Sequence, residues 1–309
     1  MKLNMKKLLL AIISLIAINV CPGQQIELSG KIIDSNSHQP LPFATIELFS
    51  LKTGTIADKN GNFIVNISSS DTTLDTINFS YLGYEKVKMS INDFLESGKT
   101  IVLKEKIIDL EEVKIIPRQY TTTILGIKDK KPGSMQYANV FNAKKGNYFE
   151  NKKNEIGWIK SVSYYIHPDG HPATPFRIRI YERDKNEMPG KDLLNENLVV
   201  SAKKPGWHTV DISDYNISFP KEGAFVMMEW INSGEEFYFE KDISIKGNDG
   251  QTEKVTRKYY GQSLGVVSKK GGIALWGTTL GNDWIPYDFN NRGRYPNAMI
   301  NVEVIYENH

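Results

Sequence analysis

The stretch PFRIRIY, at residues 175–181, alternates apolar and polar side chains without interruption. Successive side chains of a β-strand point to opposite faces of the sheet, so this alternation predicts a strand with one face on a core. The residues expected to point inward are Phe176, Ile178 and Ile180. Those expected to point outward are Arg177, Arg179 and Tyr181.

Further strands are predicted on both sides of this stretch. WIKSVSYYI (158–166) and WHTVDI (207–212) alternate, GAFVMMEWI (223–231) is apolar on both faces as in a central strand, and AMINVEVIYE (298–307) closes the chain. Long strands with almost no helical periodicity predict a second, jelly-roll-like antiparallel β-sandwich over residues 148–309. In the succession of its predicted strands and loops alone, this part resembles galactose-binding-like and carbohydrate-module sandwiches.

A separate set of short strands precedes that region. PFATIELFS (42–50) and GNFIVNI (61–67) alternate cleanly, and the Asn60–Gly61 pair between them predicts a tight hairpin with positive φ at both positions. In SINDFLESG (90–98) Ser90 is suited to cap a short helix, which Gly98 would end. Residues 24–105 are therefore expected to form a small β-sandwich, and the whole chain an all-β protein.

The same region resembles the carboxypeptidase regulatory-like domain, a transthyretin-like β-sandwich. The resemblance rests on Gly30, Asp34, Pro40, Leu41, Ala44, Gly54, Thr55, Asp58, Gly61, Phe63, Gly83 and Tyr84, which occur in the family's order. It implies an accessory, non-catalytic module. In the Gram-negative envelope such a domain often precedes the plug of TonB-dependent outer-membrane receptors, and IDLEEVKII (108–116) resembles the segment that leads into such plugs. The remaining chain lacks a receptor's plug and barrel, which leaves an accessory partner of such a system as an alternative role.

The chain begins with the features of an export signal. Lys2, Lys6 and Lys7 precede an apolar stretch that has the length of a signal-peptide core, so we expect cleavage after Gly23. Lipidation of Cys21, the only cysteine, and a retained membrane anchor are the alternatives. After cleavage the mature chain would have no thiol and no transmembrane segment, which suits the periplasm or outer-membrane surface of a Gram-negative bacterium. Residues 106–147 are expected to be an irregular linker.

The charge balance argues against nucleic acid as a partner, and the spacing of the histidines argues against a zinc peptidase site. The chain has 38 basic and 36 acidic residues, a formal net charge of +2, and so offers no basic field for nucleic acid. No histidine is followed three residues later by Glu, as a zinc carboxypeptidase requires. We expect no cofactor and no bound metal, although the two histidines of HPDGH (167–171) leave a metal site as an alternative.

Two other features point toward catalysis, and both have simpler explanations. GQSLG (261–265) matches the nucleophile elbow around Ser263, but VVSKKGG follows where that motif needs a helix. Glu229 stands alone in an apolar strand, where a structural ion pair with Arg177 or Arg179 is expected; a solvent-facing edge position or a catalytic acid are the alternatives. We therefore expect a protein that is not an enzyme, with an envelope hydrolase as the least favoured role.

The ligand-like region is WGTTLGNDWIPYDFNNRGRYPN, at residues 276–297. Sugars bind where flat rings stack on their C–H faces and where planar amides and guanidinium groups bond to their hydroxyls. The candidate binding residues are Trp276, Trp284, Tyr287, Asn291, Arg292 and Tyr295. The alternative is that these aromatic rings cap the sandwich. The sequence favours an exported binding or adhesion module, for a glycan or an envelope protein partner.

Overall fold

The protein is almost entirely β-structure in a computed structural model, as the sequence predicts. The description covers residues 25–48, 50–51, 53–68, 76–106, 120–140, 142–194, 197–231, 233–246, 251–271, 275–279, 283–288 and 292–308. The expected signal peptide, residues 1–23, and Asn291 lie outside these ranges. Among the described residues the only α-helix is short, and it begins at the Ser90 cap, whose hydroxyl accepts the Asp93 backbone N–H at 3.0 Å.

The first sandwich consists of a three-stranded and a four-stranded sheet. Its elements are β1 (Gln25–Asp34), β2 (Thr45–Leu48), β3 (Thr53–Ile56), β4 (Asn62–Ser68), β5 (Thr76–Ser80), β6 (Val87–Ser90), α1 (Ile91–Glu96) and β7 (Thr100–Leu103). The sheet orders are β4-β1-β7 and β3-β2-β5-β6. Phe63, Phe79 and Phe94 meet between the sheets with ring centroids 5.7–5.8 Å apart, which gives this sandwich its own core.

The Asn60–Gly61 turn differs from the tight hairpin that we expected. Only Gly61 has a positive φ, 77°, and the loop leads from β3 in one sheet to β4 in the other. The Asp58 carboxylate organises the loop by accepting the backbone N–H groups of Asn60 and Asn62 at 2.8 and 2.9 Å. Local hydrogen bonding by an aspartate therefore replaces the paired strands of a hairpin.

The second sandwich begins with three strands inside the interval expected to be a linker. They are β8 (Tyr120–Gly126), β9 (Ser134–Ala138) and β10 (Lys144–Phe149). The following strands are β11 (Gly157–Gly170), β12 (Phe176–Arg183), β13 (Pro189–Asp192), β14 (Val199–Val200), β15 (Gly206–Asp211), β16 (Ser218–Phe219) and β17 (Ala224–Trp230). We therefore propose that the second unit begins no later than Tyr120 rather than at residue 148.

The last described residues form six further strands, and two 3-10 turns lie earlier, one between β15 and β16 and one directly after β17. The strands are β18 (Tyr238–Lys246), β19 (Thr252–Lys270), β20 (Leu275–Thr278), β21 (Ile285–Pro286), β22 (Arg294–Ala298) and β23 (Ile300–Glu307). The turns are Ser213–Tyr215 and Glu235–Phe237.

Two large sheets form the second sandwich. One has the order β13-β12-β17-β10-β20-β21, with β14 paired to β12. The other has the order β18-β19-β11-β23-β8, with β15 and β16 on β11 and with β9 and β22 on β19. Phe176, Ile178 and Ile180 lie in the core between the sheets, as the alternation of 175–181 predicts.

Gly146 in β10 lies where no side chain fits. A Cβ at this position would contact the Val226 carbonyl oxygen of β17 and lie 2.7 Å from the Met227 Cα. We expect Gly146→Ala to lower the free energy of unfolding by about 1–3 kcal/mol, because the backbone of β17 would have to shift. Thermal and urea unfolding measure this change.

Gly133→Ala is the matched control, since the nearest atom to its added Cβ, the Val266 carbonyl oxygen, is 3.9 Å away. Equal stability of the two variants would contradict the packing around β10.

Candidate functional site

The outer face of the seven-stranded sheet, away from the sandwich core, contains both charged and aromatic side chains. It is defined by alternate residues of three neighbouring strands. Antiparallel register places Arg177 opposite Glu229, and Tyr181 opposite Phe225. On the other side of β17, Lys144 lies opposite Glu229 and Tyr148 opposite Phe225. The outer face thus has a charged half near Glu229 and an aromatic half near Phe225.

Glu229 is the centre of the charged half, and its side chain is 0% exposed. The Arg179 Nε donates to its Oε2 at 2.6 Å, and the Arg177 Nη1 donates to the same oxygen at 3.3 Å. The Lys144 Nζ lies 3.6 Å from Oε1. Arg179 also donates to the Asp192 carboxylate at 3.0 Å. The glutamate is therefore paired with both arginines that the sequence suggested.

The charge of Glu229 is fixed by these partners. Burial alone would raise the pKa of the carboxyl, but the positive charges of Arg177, Arg179 and Lys144 hold that pKa well below its ordinary value. Three cations around one carboxylate stabilise its ionised form. Glu229 is therefore held in its ionised form near neutral pH, and its ion pairs connect β17 with β12 and β10.

The aromatic half contains two neighbouring groups of contacting rings, which together we call the aromatic patch: Tyr148, Phe225 and Trp276 in one group, and Tyr181 and Trp284 in the other. The centroid distances are 5.4 Å for Tyr181–Trp284, 5.6 Å for Phe225–Trp276 and 5.0 Å for Tyr148–Phe225. Phe225 is buried, whereas the two indole rings are half-buried. Fixed rings with one accessible side are a surface on which a flat ligand can stack.

Polar groups lie beside this patch. The Arg183 guanidinium lies over the Tyr148 ring, 5.0 Å from its centroid, and is also paired with Glu187 at 2.7 Å. Burial raises the pKa of the Tyr181 hydroxyl strongly, so this group is neutral near pH 7.

The structure brings together only part of the residue set predicted from the sequence. Trp276 and Trp284 share the aromatic patch. Tyr287 instead packs on the sandwich core, and the Lys145 Nζ lies 5.6 Å from its ring centroid. Tyr295 is half-buried in β22 of the other large sheet, and Arg292 is exposed in the preceding turn. Asn291 is outside the described residues.

Four members of the site are not among the binding residues predicted from the sequence: Tyr148, Tyr181, Arg183 and Phe225. The alternation of β12 nevertheless places Tyr181 and Arg183 on one face. The sequence signal for this pair is that PFRIRIY continues for two more residues, which places Arg183 on the same strand face as Tyr181. Tyr148 has no comparable signal, because only the pairing of β10 with β17 brings it to Phe225.

Ser263 lies inside β19 and is completely buried. It is paired in register with His167 of β11, and further residues of the same strand follow it. A nucleophile elbow would instead have a turn and then a helix at this point. The His167 Nδ1 accepts the backbone N–H of Asp169 at 3.1 Å. Across the part of the chain that the structure describes, no three His, Cys, Asp or Glu side chains form a metal-binding group.

The first sandwich can be compared with known proteins. Residues 28–115 match the CarboxypepD_reg-like domain family. This match confirms the resemblance of the N-terminal region to a family of non-catalytic β-sandwich modules. No curated protein matches the chain. Among the described residues, no helix has the length and apolar character needed to cross a bilayer.

Glu229→Gln tests the charged half. The substitution leaves three buried cations without their central counter-ion, so we expect it to lower the free energy of unfolding by about 3–5 kcal/mol at pH 7. Because the pKa of Glu229 is depressed on folding, its stabilisation exists above the ordinary pKa of 4.5 and is lost as the pH falls below that value. The stability difference from wild type should therefore shrink in acid. Urea unfolding at several pH values measures it.

Glu303→Gln is the control, because Glu303 is partly exposed and pairs with one cation, Lys160, at 3.0 Å, while it also accepts from the Ser161 hydroxyl at 3.0 Å. It should cost less than about 1 kcal/mol. A Glu229→Gln effect as small as this control would show that the cluster does not stabilise the sheet.

Proposed function

We propose that the chain is an exported, non-catalytic binding protein whose second sandwich holds a glycan on the aromatic patch. The observation that supports this most is that two half-buried indole rings, Trp276 and Trp284, each pack against an aromatic ring of the same outer sheet face, Phe225 and Tyr181 respectively. Rings held by such contacts lose little conformational freedom on binding, which favours a shallow ligand such as a sugar.

The chemistry of the patch suits an uncharged sugar. The indole rings offer stacking surfaces for C–H groups, and the neutral Tyr181 hydroxyl can bond to a sugar hydroxyl. The nearby guanidinium groups of Arg179 and Arg183 already pair with carboxylates. An acidic sugar would have to compete with these ion pairs, so a neutral glycan is the better fit.

The patch is better suited to binding than to glycoside hydrolysis. Hydrolysis of a glycosidic bond uses two carboxyl groups at a defined separation, one of which must donate a proton. On the outer face, the carboxylate of Glu229 is buried. Arg177 and Arg179 pair with it and hold it in its ionised form. This supports the non-catalytic role for the outer face.

Export to the bacterial envelope is part of the proposal. It rests on the basic start and short apolar core of residues 1–23, together with a regulatory-like module typical of secreted and envelope proteins.

Trp284→Ala separates binding from packing. Trp284 contacts Tyr181 from the outside of the sheet, so its loss should remove a stacking surface and weaken glycan binding by roughly 1 kcal/mol or more, about fivefold. The melting temperature should change little. A glycan array on the wild type identifies the ligand, and calorimetry with that ligand measures both proteins.

Trp207→Ala is the matched control. Trp207 is also half-buried, but it packs on Tyr165 at the outer side of the other large sheet, at a centroid distance of 5.6 Å. It should leave binding unchanged. An array without hits for the wild type, or equal losses in the two variants, would refute glycan binding at the patch.

The export proposal predicts that the mature chain begins at Gln24 and contains no thiol. Intact-mass measurement of protein purified from the envelope tests both points. A diacylated N-terminus at Cys21 would contradict the cleavage site and indicate a lipoprotein instead.

A further inference from the structure

The first sandwich contacts the charged half of the outer face through the turn between β1 and β2. The Arg177 Nη2 donates to the Phe43 carbonyl oxygen. Asn197 donates to the Pro42 carbonyl oxygen at 3.4 Å and to the Tyr81 hydroxyl at 2.9 Å. Two side chains of the second sandwich thus hold one turn and one tyrosine of the first.

The backbone of Phe43 is unusual in a way that serves this contact. Its φ is 62°, in the left-handed region that residues other than glycine seldom adopt. Such conformations persist where surrounding interactions hold them. The Phe43 N–H donates to the Ala57 carbonyl oxygen at 3.1 Å within the first sandwich, while its own carbonyl oxygen accepts from Arg177. The turn is therefore held from both sandwiches.

The charges of the two sandwiches are also complementary. In the second sandwich, three cations of the outer face meet two carboxylates: Lys144, Arg177 and Arg179 against Asp192 and Glu229. One positive charge is left over within this cluster. Glu47 of β2 supplies a negative charge from the first sandwich. Burial lowers the pKa of Lys144, and Glu47, together with Glu229, acts in the opposite direction.

From this geometry we infer that the charged half of the outer face is an intramolecular docking surface, and that its occupant is the edge of the first sandwich formed by residues 42–47 and Tyr81. Interfaces between domains of one chain are mobile by default. Here directional hydrogen bonds from Arg177 and Asn197 to the turn and to Tyr81 give one preferred orientation. The two sandwiches then move as one body, and this holds whatever ligand the aromatic patch binds.

The test measures the distance between the two sandwiches in the full chain. Spin labels are placed at two exposed strand positions, by Lys88→Cys in β6 and Thr122→Cys in β8, with Cys21→Ser in the background. Pulsed dipolar spectroscopy should give one narrow distance. Glu47→Lys puts a positive charge on the docked edge in place of a negative one, which adds to the surplus positive charge of the cluster, and should replace the narrow distance by a broad distribution.

Glu27→Lys is the matched control, since it makes the same charge change at an exposed position in β1 of the same sandwich. It should keep the narrow distance. Asn197→Ala is a second variant in case Glu47→Lys does not fold; it removes the bonds to Pro42 and Tyr81 and should also broaden the distribution. A broad distribution in the labelled parent, or a narrow one in every folded variant, would overturn the inference.

Discussion

The buried carboxylate of Glu229 is the constraint on which the second sandwich depends. A carboxylate removed from water needs charged partners, and only the strands on either side of β17 can supply them. Arg177 and Arg179 of β12 and Lys144 of β10 do so. A shift of one residue in the pairing of β12 would turn the arginines into the core and bring Ile178 to the glutamate. The ion cluster and the apolar core thus specify the same register.

This register also divides the outer face. The outward face of β12 carries Arg177 and Arg179 at one end and Tyr181 and Arg183 at the other. The arginine end therefore contacts the first sandwich of the same chain, and the other end belongs to the aromatic patch. The charged end has its hydrogen-bonding capacity largely used by Glu229, Asp192 and the first sandwich. This is why we propose the aromatic end, rather than the charged end, as the binding site. A single alternating strand therefore serves both the internal assembly and the proposed binding site.

The sequence predicted the core of this arrangement better than its outer face. Alternation shows which side chains share a face, and Phe176, Ile178 and Ile180 are indeed in the core. Alternation does not show whether the other face meets water. Arg177 was expected to point outward and does so, yet it is 1% exposed because the first sandwich and Glu229 cover it. Tyr287 was grouped with Trp284 for their closeness in sequence, but it packs on the core. Residues near each other in an irregular segment have no fixed side, whereas residues in a strand do.

The pairing of distant strands also explains why two short motifs in this chain do not have the structure that usually accompanies them. Asn60–Gly61 and the GQSLG segment each match a local pattern, but the outcome depends on distant strands. The loop at Gly61 leads between two sheets, so the strands beside it pair elsewhere. Ser263 lies in a strand paired with β11 and is shielded from solvent on both faces of the sheet. A nucleophile must be reached by its substrate, and a buried strand position cannot be.

The aromatic patch meets the opposite condition, because its indole rings remain partly accessible while the sheet beneath them is fixed. Accessibility on a rigid support, rather than a matching motif, is what favours binding at Trp276 and Trp284.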